Sequence, residues 1–373
     1  MTSLDQMQRD LDALGRQGRR RALRPIAGVD FSSNDYLGLA RAPALRDAAS
    51  NALARGVALG SGGSRLLRGN DGEHIALEAE AAAHFGSQAA LFVGSGYAAN
   101  TLLLATLPQR GDLVLYDALI HASTHEGMRL GRAEFRAFAH NDPAAAQDAI
   151  AAWRKQGGTG HVWIAVESLY SMDGDRAPLA AFDALAQREG AMLLIDEAHA
   201  TGVYGAQGRG LADGMDRQAH AIVIRTCGKA LGCEGALILC AAPVREFLIN
   251  RARGFIFSTA PSPLIAAVVR ASLMLLSGGQ ARQDRLHRLI DHAGRAWSAI
   301  GIDPSGSAIQ PVVLGDAGRA MDMAHALQQR GYDIRGIRPP SVPEGGARLR
   351  ITLTLNITEQ QVTDLAACLK DLL

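Results

Sequence analysis

Along the middle of the chain, short continuous apolar runs alternate with longer stretches whose apolar residues recur at helical spacing. The runs at 90–93, 112–116, 161–167, 192–196, 222–226 and 236–239 are rich in β-formers. Between them, 74–85, 97–107, 144–155 and 179–187 repeat their apolar positions every three or four residues. Strands alternating with helices of this length predict βαβ units around a mainly parallel sheet, an α/β architecture. The runs VWIAV, MLLI and AIVI have no polar interruption, which predicts a sheet covered on both faces.

Beyond residue 262 the texture changes. Two long helical patterns, 263–276 and 282–300, precede shorter strands near 310–314, 333–337 and 348–354 and a last helix at 359–372. That order predicts a smaller α+β unit docked on the larger body. The expected division is an N-terminal helix and arm at 1–39, a large α/β domain at 40–265 and a small C-terminal α+β domain at 266–373. The Arg-rich stretch 16–24, just ahead of Pro25, is expected to form a surface helix.

Composition narrows the function classes. Hydrophobic residues make up 48% of the 373 and charged residues 20%, enough apolar surface to offset chain entropy. Lys+Arg 38 against Asp+Glu 37 leaves +1, so no global field draws the chain to nucleic acid or anionic membrane. With no apolar run long enough for a span and a charged start lacking an apolar core, a cytoplasmic protein is expected. Cys227, Cys233, Cys240 and Cys368 form no CxxC pair and read as reduced thiols.

Three motifs fail on inspection. The acidic strand end LLIDEAH (193–199) suits a nucleotide hydrolase, but the only Gly-Lys, Gly228-Lys229, lacks the phosphate-loop pattern. The loop GSGGS (60–64) follows a helical stretch rather than a strand, against a dinucleotide fingerprint. His121 and His125 have the spacing of one helix face, but no third ligand follows, and no metal site is expected.

One combination survives. Asp196 ends a buried strand, at the edge where open α/β sheets bind ligands. Lys229 lies three residues beyond Thr226, at the end of another strand, so it belongs to the same rim. The turn Gly94-Ser95-Gly96-Tyr97 offers backbone N–H groups and a helix N-terminus to a phosphate. Singly, Asp196 is accounted for as a helix cap and Lys229 as a solvated surface cation. Together, an acid to hold a pyridine nitrogen, a lysine for a Schiff base and a phosphate cradle make a pyridoxal phosphate pocket.

The motifs DFSSNDYLGL (30–39), GSGGSR (60–65), SGYAAN (95–100), SMDGD (171–175), IDEAHATGVYGAQGRG (195–210) and TCGKALG (226–232) resemble those of the α-oxoamine synthases, a family of fold-type I pyridoxal phosphate transferases. The likeness runs from 30 to 354, with departures at 68–71 and 232–234. It implies that Lys229 carries the cofactor, that Asp196 partners its ring nitrogen, that His199 bonds its phenolic oxygen with Ser171 nearby, and that His121 stacks on the ring. Ser95, Gly96, Tyr97 and Thr226 would hold the phosphate, joined by Ser258 and Thr259 from the second subunit of a homodimer. Asn34 and Arg350 match positions for the amino-acid carboxylate.

The resemblance fits best the members that join L-alanine to pimeloyl-coenzyme A, or to a pimeloyl acyl carrier protein, with loss of carbon dioxide, in biotin synthesis. Ser64 stands where glycine-selective members carry threonine, leaving room for the alanine methyl group. Arg21, in the Arg-rich stretch, is the candidate for the donor's anionic groups. Glycine C-acetyltransferase, 5-aminolevulinate synthase and serine palmitoyltransferase chemistry stay open, because all would share Lys229, Asp196 and His121. An aminotransferase or a non-catalytic paralogue stands outside that group.

Overall fold

Residues 2–373 are described by the structure, a computed structural model. The body is built on the strands β1 (Ala89–Val93), β2 (Leu113–Asp117), β3 (Glu134–Phe138), β4 (Val162–Glu167), β5 (Met192–Asp196), β6 (Ala221–Thr226) and β7 (Ala236–Cys240). They form one seven-stranded sheet in the order β1-β7-β6-β5-β4-β2-β3. The pairs β3–β2, β2–β4, β4–β5 and β5–β6 are parallel, and β7 is antiparallel to both β6 and β1. The reason is connection length: helices such as Gly96–Thr106 and Leu179–Glu189 separate the other strands, whereas β6 reaches β7 through a loop too short for a parallel crossover.

Every residue of β4, β6 and β7 is buried. Alternate side chains feed two cores: Ile164, Leu193 and Val223 pack on one face, Ala165, Leu194 and Ile224 on the other. This is the two-sided covering expected from the uninterrupted apolar runs. β3 was not foreseen. Its sequence EFRAF is largely exposed, as befits an edge strand, and so lacks the apolar signature of a central one.

A second sheet consists of β8 (Ile309–Gly315), β9 (Arg335–Ile337) and β10 (Ala347–Thr352), antiparallel in the order β9-β10-β8. The helix Ala317–Gln329, absent from the sequence reading, packs on it and is capped by Asp316, whose carboxylate accepts from Arg319 N at 2.8 Å. The expected division at 265/266 falls inside the helix Pro263–Ser277, which packs on Pro43–Ala54 and Gly72–Phe85 of the body. Val29 and Asp30 pair in parallel with Tyr332 and Asp333, tying the arm to the C-terminal part.

The N-terminal helix is displaced from its expected place. It spans Ser3–Arg16, started by a capping box between Thr2 and Asp5, while the Arg-rich stretch beyond it is not helical. Gly18, at φ +64°, ends the helix, and Pro25 disfavours helical backbone at Arg24. No single helix among the described residues is long and apolar enough to cross a membrane.

Candidate active site

The carboxyl ends of β4, β5 and β6 converge on the N-terminus of the helix Gly96–Thr106. Asp196, the last residue of β5, is 8% exposed. Its Oδ2 accepts from Asn100 Nδ2 at 2.7 Å and its Oδ1 from Ala198 N at 2.9 Å. Asn100 also donates to Ser123 Oγ at 3.0 Å, and that hydroxyl lies 2.8 Å from His121 Nδ1. Acid and histidine are thus joined through a buried amide and a hydroxyl. His121 caps the helix Ala122–Leu130 from outside it, with ψ 146°, so it does not share a helix face with His125. His125 instead packs edge-on against Tyr116.

Lys229 Nζ lies 2.7 Å from His199 Nε2. His199 Nδ1 meets the Tyr36 hydroxyl at 2.5 Å, and that hydroxyl lies 3.3 Å from Asn34 Oδ1. The network assigns the proton to Nδ1 and leaves Nε2 to accept from the lysine. Arg350, on β10, donates from Nε to the Ser171 carbonyl at 2.6 Å, from Nη1 to Thr352 Oγ1 at 2.8 Å and from Nη2 to Asn34 Oδ1 at 3.0 Å. All three acceptors are neutral. A cavity of about 280 Å³ is walled by Asn34, His121, Ser171, His199, Lys229 and Arg350.

Burial pushes the Lys229 amine down to about 8, although Asp196 and Glu167 hold it up. A usable share of free amine therefore exists near neutral pH. Burial, then the charges of Lys229 and Arg350, keep His199 well below its ordinary value and neutral. His121 is lowered by burial against the pull of Asp196. Glu167 stands beside Asp196 in the β4–β5 register; burial and that neighbouring carboxylate push it up to about 8.

At the other end Ser95 caps the helix Gly96–Thr106, its Oγ accepting from Ala98 N at 3.0 Å. The Gly96 and Tyr97 N–H groups belong to the first turn, which has no intrahelical acceptors for them. Gly96 sits against Thr226, so a Cβ there would be 3.4 Å from the threonine Oγ1. Ser95, Gly96, Tyr97 and Thr226 are thus brought together. A wider cleft of about 1310 Å³ opens alongside, walled in part by Ser95, Tyr97, Arg65, Ser258 and Thr259.

Two expected residues stand apart from the Lys229 cavity. Ser64 is in the loop 60–70, which is tied to the Ser258–Thr259 segment by Ala260 N donating to the Gly63 carbonyl and Ser61 Oγ to that of Pro261. Arg21 is exposed on the arm, next to Arg20, whose carbonyl accepts from Arg338. Sequence reasoning missed Asn100, Tyr36, Ser123 and Glu167. Asn100 and Tyr36 lie inside quoted motifs, but nothing in their spacing says which buried acid or imidazole they meet.

The donor set fits pyridoxal phosphate: a buried amine of lowered basicity, a buried carboxylate with only neutral hydrogen-bond partners, and a helix N-terminus backed by a threonine.

The aminotransferase class I and II family profile matches residues 26–369. The chain is 42% identical to the 8-amino-7-oxononanoate synthase of Geobacter sulfurreducens, over 92% of each chain. It is 43% identical to that of Chromobacterium violaceum, over 87% of this chain and 84% of the other. Among solved structures, a serine palmitoyltransferase from S. paucimobilis with bound PLP superposes with a TM-score of 0.89 at 26% identity, covering 99% of this chain and 96% of that one. An 8-amino-7-oxononanoate synthase from Francisella tularensis gives 0.76 at 26%, over 92% and 97%. With a seven-stranded sheet that presents its lysine, acid and phosphate-cradle ends on one rim, the chain belongs to the class I and II aminotransferase family, in its α-oxoamine synthase branch.

Proposed function

We propose that the chain joins L-alanine to a pimeloyl thioester, releasing carbon dioxide and a thiol and forming 8-amino-7-oxononanoate, a step of biotin synthesis. The observation that carries the chemistry is the placing of Lys229, His199 and Arg350 around one small cavity. The curated relatives, at 39–43% identity, supply the substrates through their shared name.

Pyridoxal phosphate, when bound, supplies a sink for the electron pair left on the alanine Cα. Lys229 would hold its aldehyde, Asp196 its ring nitrogen, His199 its phenolic oxygen and His121 one ring face. Ser95, Gly96, Tyr97 and Thr226 would hold the phosphate.

Arg350 binds the alanine carboxylate by a charge-assisted contact, steadied by Asn34. No carboxylate competes for it, since its present acceptors are neutral. Lys229 Nζ, freed once alanine is bound, takes the proton from the alanine Cα. That carbon then bonds to the thioester carbonyl carbon as the C–S bond breaks and the thiol leaves. The bond to the carboxylate breaks next, carbon dioxide departs, and Lys229 returns a proton to the same carbon. His199, kept neutral by burial and by the charges of Lys229 and Arg350, adds no positive charge beside the amine.

The reading includes a homodimer. Within one chain Ser258 and Thr259 face the wide cleft rather than the Lys229 cavity, and Leu4, Met7, Leu11 and Leu14 form an exposed stripe on the first helix. A second copy would cover both surfaces and bring the partner's phosphate contacts within reach.

The deciding experiment is product mass from alanine, glycine and serine with pimeloyl, acetyl and palmitoyl thioesters. Alanine with the pimeloyl donor should give 8-amino-7-oxononanoate with equimolar carbon dioxide and thiol. Keto-acid formation without thiol would make the chain an aminotransferase, and a faster glycine–acetyl pair would make it a glycine acyltransferase. Borohydride reduction of the loaded protein should fix the cofactor on Lys229.

A further inference from the structure

β9 and β10 pair antiparallel with Arg335 directly opposite Arg350. Directly opposed residues on adjacent strands project from the same face, and both arginines line the cavity that holds Lys229. Like charges opposed across a ladder are destabilising unless each finds an anion. Arg335 has one, with Nη2 2.8 Å from Asp333 Oδ1. Arg350 bonds only to neutral oxygens. The wall therefore offers two guanidinium groups against one carboxylate of its own, which suits a pair of substrates carrying more than one negative charge.

Arg350 is accounted for by the amino-acid carboxylate. Arg335 is not. Its side chain is 40% exposed, and a guanidinium has five N–H donors, so Asp333 leaves donors free for a ligand. The same wall presents Ile337 and Met172, apolar surface suited to a methylene chain. An acyl chain lying on such a surface and ending in a carboxylate would need a cation at its end, because an unpaired charge against apolar walls is costly. A methyl-ended chain has no such need.

We propose that Arg335 recognises the distal carboxylate of the acyl donor and so sets the preference for a dicarboxylic over a monocarboxylic chain. The inference rests on the reaction proposed above. The fork of a guanidinium matches a carboxylate in two contacts, which an amide or a single ammonium does not reproduce.

The test compares pimeloyl-coenzyme A with heptanoyl-coenzyme A in the loaded enzyme, with L-alanine as co-substrate. Both donors carry the same coenzyme phosphates, so those cancel in the ratio and only the distal carboxylate differs. The kcat/KM ratio of pimeloyl over heptanoyl should fall at least tenfold in Arg335→Gln, chiefly through KM for the pimeloyl donor, and be partly recovered in Arg335→Lys. Asp333→Asn, which frees the guanidinium, should raise the ratio, and it decides the matter if Arg335→Gln fails to load cofactor. A wild-type preference that survives in Arg335→Gln, or a loss that falls on KM for L-alanine, overturns the role of Arg335 and leaves the reaction standing. A wild type that forms no product from pimeloyl-coenzyme A overturns the reaction itself, and the proposal with it.

Discussion

His140 offers the sharpest test of how the active-site loops are held. Its Nδ1 lies 2.8 Å from Asp117 Oδ1, at the end of β2, and its Nε2 2.7 Å from Asp175 Oδ2, in the loop after β4. That loop also carries Ser171, whose carbonyl takes the Arg350 Nε–H. Burial alone pulls the His140 imidazole down, but hydrogen bonds and charge from Asp117 and Asp175 outweigh it and raise it from 6.5 to about 10. A raised histidine stabilises the fold fully below the unfolded value of 6.5 and loses that contribution as pH rises through about 10. At about 1.36 kcal/mol per pH unit the ceiling is about 5 kcal/mol. Asp175 is 38% exposed, so solvent screening cuts this to about 2–3 kcal/mol. The perturbation is His140→Gln, followed by denaturant unfolding of both proteins between pH 6 and about pH 10.5. The stability gap should be greatest near pH 6 and close steadily toward about pH 10, while KM for alanine rises as the Ser171 loop loosens. A gap that stays constant across this window would mean a neutral His140 in the folded protein and would refute the argument.

Asp196→Asn should keep the fold and bind cofactor yet lose at least a hundredfold in kcat, because an amide cannot hold the ring nitrogen's proton; turnover near wild type at saturating cofactor would remove Asp196 from its role. In the cofactor-free protein, acylation of Lys229 by an amine-reactive reagent should rise through a midpoint near about 8, the value to which burial lowers it, and a midpoint at the ordinary lysine value would contradict the dry pocket. Ser64→Thr should lower the alanine-to-glycine ratio of kcat/KM by up to about tenfold, the effect of crowding one methyl group, and an unchanged ratio would place Ser64 away from the substrate.

Much of this architecture could be read along the chain because its causes are local. A strand covered on both faces is apolar along its middle, as VWIAV, MLLI and AIVI are, and its polar residues, Glu167, Asp196, Arg225 and Thr226, gather at the carboxyl end. The placing of Asp196 and Lys229 on one rim follows from strand ends in a parallel sheet, and that geometry needs no knowledge of side-chain contacts. Where local chemistry is mixed, the pattern along the chain is not decisive. β3 is an edge strand with polar positions, and the first helix begins at the Thr2–Asp5 box rather than in the arginine run.

Partnership across the fold was decided by the tertiary structure alone. Asn34 and Arg350 are 316 residues apart and 3.0 Å apart in space. Tyr36 reaches His199, Asn100 reaches Asp196, and Arg335 stands opposite Arg350 through the register of two short strands. Hydrophobic period determines which face of an element is buried. Which polar groups then meet depends on strand order, register and the satisfaction of each buried donor and acceptor, and these are properties of the packed chain rather than of any segment of it.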